Sequence, residues 1–321
     1  KNLIIKDKKI TGIKIQNKST EQILKLSHGA ILCSGSIMTP YLLMHSGIGD
    51  KDHLKQYDKE IIIDNSNVGR NLQDHLGLDY LFKTHHHSLN KSLGTWQGRI
   101  TSVLKYIYNR KGPLSLSINQ SGGYINWHSK HHYPNLQIYF NPLTYSITHR
   151  NKRPLLKTDK FNGFIIGYNS CRPKSLGRVA LNSPNFDDAP VIDPNFLSHE
   201  EDIYDVKCAI NFSKVLANTK SIKKIRNESV THDLLNSTEE ELIDHFKSNA
   251  VSIYHPCGTC KMDEDPKKGV VSERLKVHGM ENLWIADASV FPNITSGNIN
   301  APVMMLANLG SKFIIEDLKK I

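Results

Sequence analysis

The residues best suited to chemistry lie in one segment, Ser252-Ile253-Tyr254-His255-Pro256-Cys257-Gly258-Thr259-Cys260-Lys261-Met262. His255 carries an imidazole, which titrates near neutral pH and can take up or release a proton. Pro256 fixes its own φ angle and restricts the residue before it, so this imidazole is carried on a stiff stretch of backbone. Such a backbone suits a group that must hold one geometry. On these residues alone, a catalytic and a structural histidine remain equally open.

The same segment spaces Cys257 and Cys260 as C-x-x-C. A structural zinc site needs four ligands, and the chain has no second C-x-x-C or C-x-x-H pair. A thioredoxin-like pair would open a helix near the start of a βαβ unit, whereas this pair follows His-Pro late in the chain. The histidine runs at 85–87 and 131–132 are interpreted as surface loops. We therefore expect no metal site, and we interpret both cysteines as small buried hydrophobic residues.

Short elements must position these residues. A run that alternates apolar and polar residues, or a short apolar run, predicts a strand. Strands are predicted on this basis at residues 3–5, 10–15, 23–26, 30–33, 61–63, 78–82, 136–140, 164–168, 178–181 and 283–286. Helices are predicted from Thr39-Pro40 to His45, at 99–109, at 200–219, at 238–249 and from Pro302 to about 318. Proline at the first turn marks the first and last of these starts, and Ser237-Thr238-Glu239-Glu240 predicts a capping box.

Composition limits the possible classes of protein. The 321 residues allow roughly two domains with a large core. No apolar run reaches the roughly 18 residues of a membrane span, so we expect no transmembrane segment. The net charge is +10, but the lysines are scattered, so we expect no nucleic-acid binding. The five cysteines, an odd number, argue against a disulfide framework.

Three further segments accompany the His255 segment. They are Gly35-Ser36-Ile37-Met38-Thr39-Pro40-Tyr41-Leu42-Leu43-Met44-His45-Ser46-Gly47-Ile48-Gly49, Asn67-Val68-Gly69-Arg70-Asn71-Leu72-Gln73-Asp74-His75, and the run from Asn282 to Pro302. Together the four segments resemble the glucose–methanol–choline (GMC) oxidoreductases, in the same order and across essentially the whole chain. Two of these stretches are most similar to the choline-dehydrogenase-like alcohol dehydrogenases. They are the sequence around His255 and the segment Gly297-Asn298-Ile299-Asn300-Ala301-Pro302.

The resemblance implies a fold of mixed α/β and α+β character. It combines an incomplete, Rossmann-like FAD-binding domain with a substrate domain that has a largely antiparallel sheet flanked by helices. We expect residues 1–75 to be part of the FAD-binding domain and residues 76–250 to be the substrate-binding domain. Residues 251–321 are expected to be the C-terminal part of the FAD-binding domain, with the active-site residues.

The resemblance also implies a reaction. In this family FAD oxidises an alcohol: a base takes the hydroxyl proton, and hydride leaves the carbinol carbon for the flavin N5. The active-site histidine of the family falls at His255, and its partner, a histidine or asparagine, falls at Asn298. Flavin contacts fall at Asp287 and Ala288, near the ribityl chain and pyrophosphate, and at Asn300 and Ala301, near the pyrimidine ring.

The dinucleotide-binding fingerprint G-x-G-x-x-G of such enzymes is absent. The one G-x-G is Gly47-Ile48-Gly49, which is followed by Asp52 where a third glycine is needed. We therefore expect the chain to lack the N-terminal ADP-binding unit, which becomes a further expected partner. We also expect the isolated polypeptide to bind FAD weakly and to be inactive. The alternative is a non-catalytic fragment or partner subunit of a split or degenerate GMC protein.

Several properties stay open at this level. The sequence does not choose among choline, other aliphatic alcohols, aromatic alcohols and sugars as substrate. The electron acceptor is expected to be a quinone or electron-transfer chain, or oxygen. Location is also open, with a cytoplasmic or peripherally membrane-associated protein as the expectation, because the first residues lack the apolar region of a signal peptide.

Overall fold

Short strands and helices alternate along the chain in the computed structural model, which describes residues 1–17, 20–150 and 153–319. The strands are β1 (Asn2–Lys6), β2 (Lys9–Asn17), β3 (Thr20–Lys25), β4 (Ala30–Leu32), β5 (Ile48–Gly49), β6 (Ile63–Asp64), β7 (Arg70–Leu72), β8 (Leu76–Lys83), β9 (Ser121–Ile125), β10 (Leu136–Asn141), β11 (Tyr145–Arg150), β12 (Arg153–Thr158), β13 (Gly163–Ser170), β14 (Gly177–Ala180), β15 (Val191–Asp193), β16 (Val251–Ser252) and β17 (Leu283–Ile285). The helices are α1 (Gly35–His45), α2 (Lys51–Lys55), α3 (Leu89–Gly94), α4 (Trp96–Asn109), α5 (Glu200–Ala217), α6 (Lys220–Ile225), α7 (Glu239–Asn249) and α8 (Asn300–Leu318). None of the described helices is long and apolar enough to cross a bilayer.

The elements divide into two compact units. The first unit contains Lys1–His75, Arg172–Glu200 and Ile253–Ile321, and the second contains Leu76–Cys171 and Glu201–Ser252. The segment Arg172–Glu200 belongs to the first unit, although it lies within the range 76–250 that the sequence predicts to be the substrate-binding domain. This segment joins the first unit because its strand β14 pairs with β7. A pairing between strands so far apart in the chain cannot be predicted from local sequence patterns.

The first unit is built from several small sheets. Strands β1, β2 and β3 form an antiparallel sheet, and β14 lies between β7 and β15. Two parallel pairs complete it: β4 with β17, and β5 with β6. The parallel pair β4–β17 places the run that leads into α1 beside the run that leads to Asp287. Fully buried side chains of α1 and β17, such as Leu43 and Ile285, belong to the same core.

Helix α1 begins at Gly35, earlier than the predicted start at Thr39-Pro40. Pro40 therefore lies inside the helix, where it has no N–H to give to the carbonyl of Ser36. The hydroxyl of Thr259 donates to that carbonyl at 2.6 Å and satisfies it. A contact from a distant part of the chain thus lets the helix continue through a proline, which a local reading could not foresee.

The second unit contains a five-stranded antiparallel sheet with the order β16-β8-β13-β10-β9. Its central strand β13 is buried along almost its full length and pairs Phe164 with Phe82 and Ile166 with Tyr80. The rings of Phe82 and Phe164 stack with centroids 5.4 Å apart. The expected mixture of helices with a largely antiparallel sheet is therefore confirmed.

Two predicted helix starts need correction. The capping box of α7 is formed by Thr238 and Glu241, one residue later than the predicted pair Ser237 and Glu240. Both pairs satisfy the same four-residue spacing, so the sequence alone could not choose between them. Helix α8 begins at Asn300, two residues before Pro302. Proline needs no donor anywhere in the first turn, so it does not have to be the first residue.

His45 is the last residue of α1 and is buried in the first unit. Its ring packs against Tyr41 at 4.4 Å and Phe186 at 5.1 Å between centroids. Burial, with the nearby positive charge of Lys59, lowers the pKa of His45 to about 4. In the unfolded chain its pKa lies near the ordinary 6.5, so the unfolded state binds this proton first as the pH falls.

We expect the free energy of unfolding contributed by His45 to be complete above pH 6.5 and to be lost as the pH falls towards 4. His45→Phe keeps the aromatic contacts and removes the titration, so urea unfolding of this variant should depend less on pH in that window. The exposed His132→Phe is the control and should leave the pH dependence unchanged. Equal slopes for wild type and His45→Phe would contradict the assignment.

Candidate active site

The backbone of His255 is held by the segment Asn71–His75. Gln73 and Cys257 exchange two backbone hydrogen bonds, of 3.0 and 2.9 Å, and the N–H of Ile253 donates to the carbonyl of His75 at 3.0 Å. Between these points, the N–H of His255 donates to the carboxylate of Asp74 at 2.9 Å. The histidine is therefore fixed on both sides by one short antiparallel contact.

The turn around His255 also depends on unusual backbone angles. Tyr254 has a φ of 65° and Gly258 has a φ of 87°, so the chain enters and leaves the histidine through left-handed conformations. A Cβ atom at Gly258 would lie 2.5 Å from the carbonyl oxygen of Asn71. Only glycine fits at that point, both because of its φ and because of this close approach. With Pro256 between them, these residues leave the imidazole little freedom.

The imidazole of His255 contacts a second side chain at each ring nitrogen. Its Nε2 lies 3.0 Å from the amide nitrogen of Asn298, and its Nδ1 lies 2.9 Å from Nδ1 of His75. An amide nitrogen can only donate, so Nε2 of His255 accepts and carries no proton. The proton of the neutral ring is then on Nδ1, from which it is donated to His75. Three residues thus define one tautomer, and we call His255, Asn298, His75 and Asp74 the His255 site.

The His255 site is suited to general base chemistry. His255 is 8% exposed and His75 is fully buried. Burial lowers the pKa of His255, so its ring is neutral at neutral pH. A neutral imidazole with its lone pair on Nε2 can take a proton from a hydroxyl group presented to it. The neighbouring amide of Asn298 can donate to the same oxygen as negative charge develops there.

The cysteines near His255 serve packing. Cys257 and Cys260 are fully buried, and neither forms a disulfide. Burial raises the pKa of Cys257 to about 12 and that of Cys260 well above its ordinary value. Both are therefore neutral thiols at physiological pH, not the thiolates that bind metal or attack disulfides. Within residues 1–17, 20–150 and 153–319, no three His, Cys, Asp or Glu side chains gather as a metal site.

Asp287 joins the two parallel strand ends of the first unit. One carboxylate oxygen accepts from the N–H of Gly35 at 2.9 Å and from the hydroxyl of Thr39 at 2.6 Å. The other accepts from the N–H of Ser289 at 2.8 Å. The carboxylate therefore fixes the N-terminal end of α1 to the turn that follows β17. Its neighbour Ala288 accepts from the N–H of Gly258, which connects this turn to the His255 segment.

The first turn of α8 fits a ligand rich in acceptor groups. Asn300 and Ala301, its first two residues, are exposed. The N-cap residue Ile299 makes no side-chain cap bond, and the first turn contains no acidic side chain. The N–H groups and the positive end of this 19-residue helix therefore face no capping group. A pyrophosphate or the carbonyl edge of a flavin ring provides acceptors of this kind, so the residues present fit FAD.

The structure brings together part of the predicted set. His255 contacts Asn298 directly, and Asn300 and Ala301 follow Asn298 within the same turn and helix start. Both carboxylate oxygens of Asp287 accept hydrogen bonds from protein donors. Sequence reasoning missed the roles of Asp74 and His75, which lie 180 residues or more from His255. Their only signal was the titratable Asp-His pair at the end of the Asn67–His75 motif.

Comparisons with known proteins assign the family. Two GMC oxidoreductase family models match the chain, one at residues 1–77 and the other at residues 173–307, and together they cover more than half of it. The chain belongs to the GMC oxidoreductase family. This confirms the resemblance carried by the four sequence motifs.

Curated relatives match nearly the whole chain. An alcohol dehydrogenase (acceptor) from Pseudomonas putida is 32% identical over 98% of this chain and 56% of its own length. An oxygen-dependent choline dehydrogenase from Cronobacter sakazakii is 30% identical over 95% of this chain and 54% of its own length. The chain thus spans about half the length of the curated relatives it matches.

Solved structures of similar fold include flavoenzymes. A formate oxidase from Aspergillus oryzae, studied for its FAD modification, superposes with a TM-score of 0.88 and is 25% identical; the match covers 99% of this chain and 60% of that chain. A pyridoxine 4-oxidase superposes with a TM-score of 0.79 and 24% identity over 97% of this chain, which supports the fold alone. The family and the formate oxidase support FAD as the cofactor.

Asp287→Ala is expected to lower the free energy of unfolding by roughly 2–4 kcal/mol, because it leaves up to three donors, two of them on buried residues, without an acceptor. Asp287→Asn keeps one acceptor oxygen and should lie between this variant and wild type. Chemical denaturation measures the difference. Asp244→Ala removes an exposed carboxylate whose partner is Lys247 at 3.5 Å, and it should change stability by less than about 0.5 kcal/mol. An unchanged midpoint for Asp287→Ala would refute the positioning role.

Proposed function

We propose that this chain forms part of an FAD-dependent enzyme that oxidises an alcohol to an aldehyde or ketone, with His255 as the base. The observation that carries the proposal is the contact of 3.0 Å between Nε2 of His255 and the amide of Asn298. It places a proton acceptor beside a hydrogen-bond donor, which is the pair of groups that an alcohol oxygen needs as it loses its proton. The names of the relatives, an alcohol dehydrogenase and choline dehydrogenases, point to the same substrate class and to an external electron acceptor.

We assign the first unit to part of a Rossmann-like FAD-binding domain and the second to the substrate-binding domain. The family model matched at residues 1–77 lies almost wholly in the first unit. The parallel pair β4–β17, with α1 and α8 beginning after its strands, has the character of an α/β nucleotide-binding layer. The five-stranded antiparallel sheet of the second unit has the character expected for the substrate domain.

The cofactor contacts follow from the same assignment. Asp287 and Ala288 would lie near the ribityl chain and pyrophosphate, and Asn300 and Ala301 near the pyrimidine ring. The exposed first turn of α8 supports the second placement, because a helix N-terminus stabilises negative charge. When bound, FAD supplies the hydride acceptor that this chain's own side chains do not provide.

Side chains of this chain accept the hydroxyl proton of the substrate and stabilise the groups involved in its transfer. Nε2 of His255 takes the hydroxyl proton of the substrate, while the amide of Asn298 donates to the substrate oxygen. The resulting imidazolium keeps its Nδ1 proton, which it donates to Nδ1 of His75. His75 therefore acts as a positioning residue: it selects the tautomer with a free Nε2 and supports the positive charge. Asp74 holds the backbone of His255 in register through the backbone N–H.

In the FAD-loaded enzyme, His255→Gln is expected to lower kcat by about 100- to 10,000-fold, the usual contribution of a general base. Flavin binding should be retained, because the imidazole contacts Asn298 and His75. Alcohol-dependent reduction of an artificial electron acceptor measures turnover, and flavin absorbance measures binding. The exposed His132→Gln is the matched control. Turnover retained in His255→Gln would exclude His255 as the base.

His75→Leu removes the acceptor for Nδ1 of His255, so the Nε2-protonated tautomer becomes populated and kcat should fall by about tenfold or more. The acidic limb of the pH–rate profile should move to lower pH, because the imidazolium loses a hydrogen-bond partner. His75→Gln restores an acceptor and should recover part of both effects. Equal losses in the two variants with an unmoved acidic limb would show that His75 only fills space.

A further inference from the structure

Helix α4 of the second unit packs through its small residues. Ser102 is buried, and its hydroxyl donates to the carbonyl of Gly98 at 2.7 Å. A Cβ atom at Gly98 would lie 2.4 Å from the carbonyl oxygen of Ser92, so α3 and α4 approach each other closely at this point. The inward side of α4 is thus narrow and contains little apolar surface.

The opposite side of α4 is apolar and faces solvent. Six exposed residues recur at helical spacing and form one face, which we call the α4 stripe: Trp96, Ile100, Val103, Leu104, Ile107 and Tyr108. Their exposed fractions run from 43% at Val103 to 94% at Tyr108. The usual arrangement, with apolar residues inward, is reversed in this helix. A contiguous apolar face on the surface marks an interaction site.

Positive charge surrounds the α4 stripe. Arg99, Lys105, Arg110 and Lys111 lie on or directly after the helix and are exposed. In the described part of the chain, none of these four takes part in an ion pair. The sequence between Asp79 and Asp159 contains no aspartate or glutamate but eleven lysines and arginines. This one stretch therefore accounts for the whole net charge of +10.

We propose that the α4 stripe docks on a membrane surface that carries anionic lipids. An amphipathic helix with aromatic and aliphatic residues on one face and basic residues beside it lies in the plane of the bilayer interface. Trp96 and Tyr108 have amphipathic rings, which favour the interface between the lipid headgroups and the hydrocarbon core. With 14 residues, α4 is shorter than the roughly 20 residues that a spanning helix needs, so it lies on the surface.

The positive charge beside the α4 stripe favours an anionic membrane surface over a second copy of the chain as its binding partner. Two copies meeting through their α4 stripes would bring the basic residues beside both helices together, and like charges at an interface are unfavourable. Anionic headgroups are complementary to the same surface, with roughly 1 kcal/mol for each basic residue near them. The proposal rests on α4 alone and is independent of the His255 site.

Vesicle sedimentation tests the proposal. The full chain is expected to bind phosphatidylcholine vesicles that contain about one third phosphatidylglycerol, and to bind pure phosphatidylcholine vesicles at least about tenfold more weakly. The triple variant Ile100→Ser, Leu104→Ser, Ile107→Ser should lose at least about tenfold in binding to the anionic vesicles. The variant Arg99→Gln, Lys105→Gln, Arg110→Gln should lose a similar factor and should no longer distinguish the two vesicle types.

Controls separate docking from general surface effects. Ile23→Ser with Leu24→Ser removes two comparably exposed apolar side chains from β3 and should bind vesicles like wild type. Far-ultraviolet circular dichroism checks that each variant folds, which substitutions at exposed positions should permit. Wild-type binding to neither vesicle type, or equal binding by wild type and the stripe variant, would overturn the proposal.

Measurements without lipid test two alternatives to a membrane as the binding partner of the α4 stripe: a second copy of the chain, and another part of the protein. Sedimentation velocity should show a monomer for wild type; a dimer that the stripe variant abolishes would assign the α4 stripe to a second copy and overturn the proposal. Acrylamide quenching of Trp96, isolated by comparison with Trp96→Phe, should show an open indole. A shielded Trp96 in the lipid-free enzyme would assign the stripe to another part of the protein and would equally overturn the proposal.

Discussion

The hydrogen bond between the imidazole rings of His75 and His255 is the constraint on which the site depends. It is 2.9 Å long and joins residues 180 positions apart. With the backbone bonds between Gln73 and Cys257, it fixes where His255 lies and leaves its Nε2 to meet the amide of Asn298. Gly258 lets the backbone after His255 approach Asn71 closely, and Tyr254 precedes the histidine in a left-handed conformation.

Burial governs the protonation states of the first unit. It lowers the pKa of His255 and of His45 and raises the pKa of Cys257. All three are therefore neutral at neutral pH, which spares the core the cost of an unpaired charge. The buried carboxylate of Asp287 accepts hydrogen bonds from three protein donors. Within the His255 site, the neutral imidazole presents Nε2 as a proton acceptor beside the amide of Asn298.

The positive charge of the chain is concentrated in one stretch of the second unit, which the overall composition did not show. Averaged over the chain, the lysines appear scattered and indicate no partner. The acid-free stretch between Asp79 and Asp159 contains α4, whose apolar face is directed outward. Helical periodicity predicts that α4 has an apolar face, but periodicity does not say whether that face points to a core or to solvent. Only the packing of Gly98 and Ser102 decides this.

The sequence by itself determined the family, the histidine on its stiff backbone, most strands and the long helices, because these depend on motifs and on periodicity among near neighbours. The tertiary structure decided the rest. It let α1 continue through Pro40 by the bond from Thr259, moved Arg172–Glu200 into the first unit by strand pairing, and revealed Asp74 and His75 as the partners of His255. Each of these rests on contacts between residues far apart in the chain, and no local pattern of residues encodes which distant group will meet them.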